Sequence, residues 1–426
     1  MSLLIIPHLT CNLHCLYCYE KKYRKTHSVK MEYDLGVILK KMEELKNIYP
    51  DMCLHGGEPL MMPKKDVRAI LLKMKELTGK SDIQTNGTLI DDDFIKIFKE
   101  SSTTVGLSYD GPGELSEYRF HRLKKDPEID KKIEKMIKQG ISVSLIMVIT
   151  KANAGTNQRL KKLKNYLLKL DKMQISGRLN PCGGAQECEL DEKRIKQAYL
   201  DLANFCLIYN LRWSPFTDII DALQGKSRVC TFMGCDPFHT PSAAEMLEDG
   251  NLTNCMRTNQ EYMLLRHPIK QETRKEILSQ TPQKFGGCQN CKYWSACYGG
   301  CPTMAIDNDW RNRTYLCALW QALFQFYEKV LSYCNVETKL CQTKDETEES
   351  MASQEHGDSG HGDAPHGNSG HADHIDKNHS DGLPNPRENL EHGNSPHGDA
   401  PHGDSGHPDQ IDDFCPDDFA PPWTKK

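Results

Sequence analysis

Three thiols crowd the start of the chain. Cys11, Cys15 and Cys18 are spaced C-x3-C-x2-C, directly after the apolar run Leu3-Leu4-Ile5-Ile6. Thiolates this close together are what iron–sulfur clusters and zinc require. A triplet leaves one coordination position over. On a cluster, that open iron can bind and reduce a small molecule, whereas a structural zinc would be closed by a fourth ligand. A second set lies far downstream: Cys288, Cys291, Cys297, Cys301 and Cys317, spaced C-x2-C-x5-C-x3-C-x15-C. Cys230, Cys235 and Cys255 precede it, with Gly250 five positions ahead of Cys255. Together these make 11 of the 18 cysteines in 426 residues.

The rest of the composition bounds what such thiols can be for. No stretch of about eighteen apolar residues exists, so no membrane span is expected. Residues 1–10 lack the charged start and length of a signal peptide. Dense cysteine without an export signal implies a reducing cytoplasm and metal binding rather than disulfides. Residues 342–426 carry 19 acidic against 5 basic side chains, a net of −14, which leaves +9 on residues 1–341. A basic body joined to an acidic tail suggests that the two meet, or that the tail only keeps the chain dispersed. The basic run Lys21-Lys22-Tyr23-Arg24-Lys25 has no nucleic-acid motif beside it, so no nucleic-acid partner is expected.

The elements that must position these thiols alternate. Short apolar runs at Leu3–Pro7, Met52–His55, Asp82–Gln84, Thr104–Ser108, Ser142–Ile149 and Gln174–Arg178 read as strands. Amphipathic stretches between them, Tyr33–Ile48, Lys65–Leu77, Asp91–Lys99, Asp130–Lys138 and Gln158–Leu170, read as helices; in the first, Leu35, Ile38, Leu39, Met42 and Leu45 recur at helical spacing. This rhythm predicts an α/β fold with a parallel sheet and right-handed crossovers, a partial (β/α)6 barrel of the TIM type whose chemistry sits at the C-terminal strand ends. The organisation expected is a barrel over 1–186, a helical connector over 187–225, a small cysteine-rich domain over 226–335 and a tail over 342–426. Tyr315–Val330 reads as a helix with Trp320, Leu323 and Phe324 on one face.

The tail is of another kind. Hydrophobic residues nearly vanish, and such a segment cannot bury enough apolar area to offset chain entropy, so it is expected to be disordered. It also repeats: HGDSGHGDAPHGNSGHADHID at 356–376 aligns with HGNSPHGDAPHGDSGHPDQID at 392–412. Ten of the 17 histidines lie in it.

The motif CNLHCLYCYE, placed after a first strand, resembles the radical S-adenosylmethionine (AdoMet) superfamily. Three further loops strengthen the resemblance: His55-Gly56-Gly57-Glu58-Pro59-Leu60 after the second strand, Gln84-Thr85-Asn86-Gly87 after the third, and Ser108-Tyr109-Asp110-Gly111-Pro112 after the fourth. The resemblance implies that Cys11, Cys15 and Cys18 hold three irons of a 4Fe–4S cluster and that AdoMet chelates the fourth. One electron then cleaves the sulfonium to a 5′-deoxyadenosyl radical. It implies AdoMet contacts at Tyr17, Gly56, Gly57, Glu58, Asn86, Ser108 and Asp110. The glycines would let the backbone approach the ligand, and Glu58 suits a protonated amino group. A related arginine usually follows the serine by about twelve residues after a His-Asp pair; here that pair is absent, Arg119 is the nearest match and Arg122 the next.

The downstream cysteines resemble the SPASM extension of peptide-modifying members. That implies two auxiliary 4Fe–4S clusters, for three clusters in all: one on Cys230, Cys235, Cys255 and Cys301, the other on Cys288, Cys291, Cys297 and Cys317. Zinc-ribbon sites are the alternative that the C-x2-C pairs alone leave open. Of the other cysteines, Cys53 and Cys206 read as packed small hydrophobes, and Cys182 and Cys188 lie where substrate should enter. In sulfatase-maturing relatives an Asp follows the Gly-x4-Cys cysteine as a base; Met256 stands there in this chain, which argues against formylglycine formation.

The function expected from the resemblance is hydrogen-atom abstraction from a peptide residue, leading to oxidation, crosslinking or epimerisation in ribosomal peptide maturation. An electron donor such as flavodoxin or ferredoxin would serve it. Cys11 stands too near the start for an N-terminal leader-binding domain, so the peptide would be recognised otherwise. The repeat tail is a candidate for a tethered substrate, since tethering raises effective concentration; a His/Asp-rich metal store and an inert linker are its rivals. The competing function is a radical AdoMet dehydrogenase of a small molecule.

Overall fold

The computed structural model describes residues 2–26, 29–125, 127–226, 243–253, 255, 257 and 273–340. Cys230, Cys235, Met256 and the repeat tail lie outside them. The strands are β1 (Ser2–Ile5), β2 (Asp51–Leu54), β3 (Ser81–Thr85), β4 (Thr103–Ser108), β5 (Val143–Ile149), β6 (Gly177–Pro181), β7 (Trp213–Ser214), β8 (Ala243–Met246) and β9 (Leu252–Thr253). They form one sheet in the order β7-β6-β5-β4-β3-β2-β1-β8-β9, and every neighbouring pair is parallel except β8 with β9. Strands β1 to β6 thus follow one another in chain order, as short right-handed crossovers require, and make the partial barrel expected.

Three features differ from the sequence-based expectation, the first being β7, which falls in the stretch expected to be helical. The sixth strand begins three residues later, at Gly177 instead of Gln174, because Gln174 takes a positive φ of 58° and cannot lie in a strand. The sheet also gains β8 from the cysteine-rich region, paired in register with β1 (Leu4 opposite Glu245). Its sequence, Ala243-Ala244-Glu245-Met246, is too short and too rich in Ala and Glu, which disfavour strands, to read as a strand alone.

The crossover helices bury one stripe each against the sheet. Helix Lys64–Thr78 buries Val67, Ile70, Leu71 and Met74 and stops at Gly79, whose φ of 77° lets its N–H reach back to the Lys75 carbonyl. Helix Asp92–Glu100 starts because the Asp91 side chain accepts from the Asp93 and Phe94 amides. Helix Glu192–Ile208 and the long helix Cys317–Tyr333 pack together, with Trp320, Leu323, Phe324 and Tyr327 buried. Between them the described part of the cysteine-rich segment is gathered around Arg274, 2 % exposed, whose guanidinium donates to the carbonyls of Trp310, Tyr298, Gly300, Gly299 and Asn312 at 2.6–3.2 Å. A buried cation is tolerable only when all its donors are used in this way. Among the described residues, no helix is long and apolar enough to cross a membrane.

Candidate active site

A cavity of about 680 Å³ occupies the barrel interior, a size typical of ligand sites. Cys11, Cys15, Tyr17 and Cys18 line it, as do Gly56, Gly57, Glu58, Asn86, Ser108 and Arg119. Its other wall carries Arg178 and Asn180 from β6, Cys182 just after it, Glu245 from β8, and Cys255 and Cys301 from the cysteine-rich region. Gly106 and Ser144, both small, are among the residues that face the interior.

The thiol triplet is aimed by backbone contact. The Gly57 amide donates to the His8 carbonyl at 3.0 Å and the Glu58 amide to that of Thr10 at 2.9 Å. A Cβ at Gly57 would fall 2.2 Å from the Thr10 carbonyl oxygen; one at Gly56, where φ is 130°, would fall 2.5 Å from that of His8. The glycines therefore also admit the loop that presents Cys11, while themselves lining the cavity. N–H donors reach the sulfurs: the Leu13 amide is 3.4 Å from Cys11 Sγ, and Arg24 Nη2 is 3.0 Å from Cys18 Sγ. Arg24 is held by Glu20, 3.0 Å from its other nitrogen and buried. Burial pushes the Cys11 thiol up to about 11 and that of Cys15 to about 12, so metal binding must expel their protons.

Glu58 is 1 % exposed and accepts from the Leu60 amide (3.1 Å) and Thr85 Oγ1 (2.6 Å) on Oε1, and from the Asn86 amide (2.7 Å) on Oε2. Burial, opposed by these donors, holds its carboxyl up at about 7. The Asn86 side chain turns to the thiol loop, donating to Asn12 Oδ1 at 2.9 Å. Ser108 accepts from Gln84 Nε2 at 2.9 Å.

Asp110 is 1 % exposed and accepts from the Tyr17 hydroxyl, from Arg119 Nη2 (2.9 Å) and Nε (3.2 Å), and from the Val148 amide (2.8 Å). Arg119 also lies over the Tyr17 ring, 5.4 Å from its centroid. Asp110 thereby fixes two residues of the cavity wall. Cys53 departs from the packed hydrophobe expected, since it faces the cavity half-buried, whereas Cys206 is buried. Cys182 and Cys188 are both buried and pack with Tyr17.

Cys288, Cys291, Cys297 and Cys317 line a second, smaller cavity with Trp294, Arg313, Trp320 and Phe324. Cys301 is not in that wall although it follows Cys297 closely; it faces the barrel cavity with Cys255. Among the described residues, no three His, Cys, Asp or Glu side chains converge on a single ion. A 4Fe–4S cubane is wider than one ion and takes its thiolates on separate corners, so an all-thiol wall around a hollow suits it.

Several wall residues escaped sequence reasoning. Arg178 and Asn180 alternate along β6, with Cys182 just after it, and would have been found with the strand placed correctly. Glu245 belonged to an unrecognised strand. Arg24 carried no signal beyond its helical spacing from Glu20.

A partial parallel barrel with a thiol triplet and a buried carboxylate at its C-terminal mouth defines an iron–sulfur enzyme of the AdoMet-cleaving class. Residues 5–163 match the family model described as Radical SAM superfamily. A Cysteine-type anaerobic sulfatase-maturating enzyme of Clostridium perfringens is 23% identical over 377 residues, 79% of this chain and 98% of that protein. A Serine-type enzyme of the same description from Bacteroides thetaiotaomicron is 33% identical over 157 residues, 34% of this chain and 38% of that protein. Among solved structures, anSMEcpe with bound AdoMet and Kp18Cys peptide matches with a TM-score of 0.60 at 21% identity, over 78% of this chain and 99% of that one. Streptococcus suis SuiB bound to S-adenosylmethionine matches at 0.53 and 15%, over 74% and 76%. Residues 5–163 are thus a radical SAM domain, and the protein is an enzyme.

Proposed function

We propose that this enzyme is a peptide maturase that cleaves AdoMet and abstracts a hydrogen atom from a residue of a peptide. The observation that carries the reading is the single cavity shared by Cys11, Cys15, Cys18, Glu58 and Asn86 on one wall and by Arg178, Asn180 and Cys255 on the other. One wall suits cluster and AdoMet; the other leaves room for a side chain to reach them. The relatives that cover most of the chain mature a protein, or were solved with a peptide, and this supports a peptide substrate. Met256, standing where the sulfatase-maturing pattern has Asp, favours a product other than formylglycine.

Bound together, a cluster on Cys11, Cys15 and Cys18 and AdoMet would supply a hydrogen-abstracting radical. The chain's own residues do the rest. Glu58 Oε2 accepts one hydrogen bond from Asn86, so a lone pair remains for an ammonium group in the cavity. Asp110 locks Tyr17 and Arg119 against each other, which keeps the wall beside Cys15 rigid. Cys255 and Cys301 would share one auxiliary cluster with Cys230 and Cys235, while Cys288, Cys291, Cys297 and Cys317 would hold the second.

The repeat tail is proposed as the tethered substrate. Its two copies carry His-Gly-Asp or His-Gly-Asn at five-residue steps, and each step would offer the same residue to the same cavity. The test is anaerobic turnover of the full chain with AdoMet and a reductant, run in water and in deuterated water. Losses of about two mass units per event, or deuterium uptake, mapped to 342–426 would support the tether. Accumulation of 5′-deoxyadenosine with an unchanged tail would replace it with a separate peptide, and no 5′-deoxyadenosine would refute the maturase reading itself.

A further inference from the structure

The second thiol-lined cavity contains a buried donor that no described residue satisfies. Trp320 is 1 % exposed and lines the cavity with Cys288, Cys291, Cys297 and Cys317. Its indole Nε1 has no hydrogen-bond partner among the described residues. Indole N–H can only donate, and a buried donor left unpaired is costly, so native proteins rarely keep one. The neighbouring groups do not explain it. The Thr314 hydroxyl accepts from the Leu316 amide, and the Arg313 guanidinium donates to the carbonyls of Gln283 and Gly287 and hydrogen-bonds Cys317. Trp320 stands three residues after Cys317 on helix Cys317–Tyr333, so the two share a helix face. The helix that supplies a thiol therefore also supplies an N–H beside it.

We propose that the Trp320 indole N–H donates to a sulfur of the metal centre held by Cys288, Cys291, Cys297 and Cys317, and that it sets that centre's reduction potential. The proposal rests on the reading of those four cysteines as ligands of one iron–sulfur cluster. Reduction adds negative charge that spreads onto the sulfurs, and an N–H aimed at them stabilises the reduced state more than the oxidised one. Trp320 therefore raises the potential and makes the site a better electron acceptor. Arg313 acts in the same direction from Cys317. A zinc ion on the same thiols would give Trp320 a sulfur acceptor but no potential to set.

The test uses the full chain with Cys11, Cys15 and Cys18 changed to Ala, which removes the first cluster's signal, reconstituted anaerobically and labelled with 15N in the indole. Iron and zinc are counted first. Pulsed EPR of the reduced protein should then show a 15N coupling that Trp320→Phe abolishes. A redox titration should show the midpoint lowered by about 59 mV, a tenfold change in a one-electron equilibrium. Equal iron with the coupling and the midpoint both unchanged overturns the role of Trp320 and leaves the cluster reading standing. Zinc in place of iron, or iron that survives Cys288→Ala and Cys297→Ala together, overturns the cluster reading and the proposal with it. If Trp320→Phe fails to hold iron, the parent protein decides: a 15N coupling there supports the contact, and its absence refutes it.

Discussion

Gly57→Ala tests how the thiol triplet is aimed. The new Cβ would lie 2.2 Å from the Thr10 carbonyl oxygen and 2.5 Å from that of Leu9, where ordinary contact begins at 3.4 Å. Both obstacles are backbone, so no side chain can swing aside, and the loop that leads into Cys11 must move by about 1 Å. That movement breaks the bonds from the Gly57 amide to His8 and from the Glu58 amide to Thr10. Two lost hydrogen bonds at about 0.5–1.5 kcal/mol each and overpacking at about 1–3 kcal/mol give a destabilisation of roughly 2–6 kcal/mol. The expected outcome is loss of the first cluster, about four irons per chain, while the irons of the downstream cysteines remain. Gly79→Ala is the control: its φ is positive, at 77°, but nothing lies within 4 Å of its Cβ. It should cost only about 1 kcal/mol of left-handed strain and no iron. Iron counts and urea midpoints of both variants decide the matter. A Gly57→Ala protein with full iron and an unchanged midpoint would show that the close approach does not position the cysteines.

Other outcomes follow from the same geometry. Glu58→Gln keeps the shape but removes a charge-assisted bond of about 1.5–3 kcal/mol, so AdoMet affinity by equilibrium dialysis should fall ten-fold or more with iron retained. Because burial holds the Glu58 carboxyl up at about 7, its carboxylate form is lost as pH falls through that value. AdoMet affinity should therefore drop by roughly tenfold for each pH unit below 7, and Glu58→Gln should flatten that profile. Arg24→Gln removes a cationic donor from Cys18 Sγ and should lower the midpoint of the first cluster in an EPR titration without loss of iron. Asp110→Asn leaves Arg119 buried with its partner's charge gone, and should cost about 3–5 kcal/mol in unfolding experiments.

The chain's fold class and its main chemical groups were legible in the residues alone, for local reasons. Thiol spacing survives any arrangement of the rest, and apolar runs alternating with helical stripes leave few topologies open. Helices such as Lys64–Thr78 were placed within a residue or two because their caps are written beside them: Asp91 before one, Gly79 after another. What only the tertiary structure decided are the properties of residues distant in sequence. Strand β8 exists because β1 offers it an edge, and its own four residues do not announce it. Asp110 is buried where Tyr17 and Arg119 converge on it. Gly56 and Gly57 serve a neighbouring backbone that only the fold brings near. The division of Cys297 and Cys301 between two cavities, four residues apart in the chain, follows from the left-handed turn at Tyr298, Gly299 and Gly300, all with positive φ. That turn sends the backbone from one wall to the other, and spacing alone cannot reveal it.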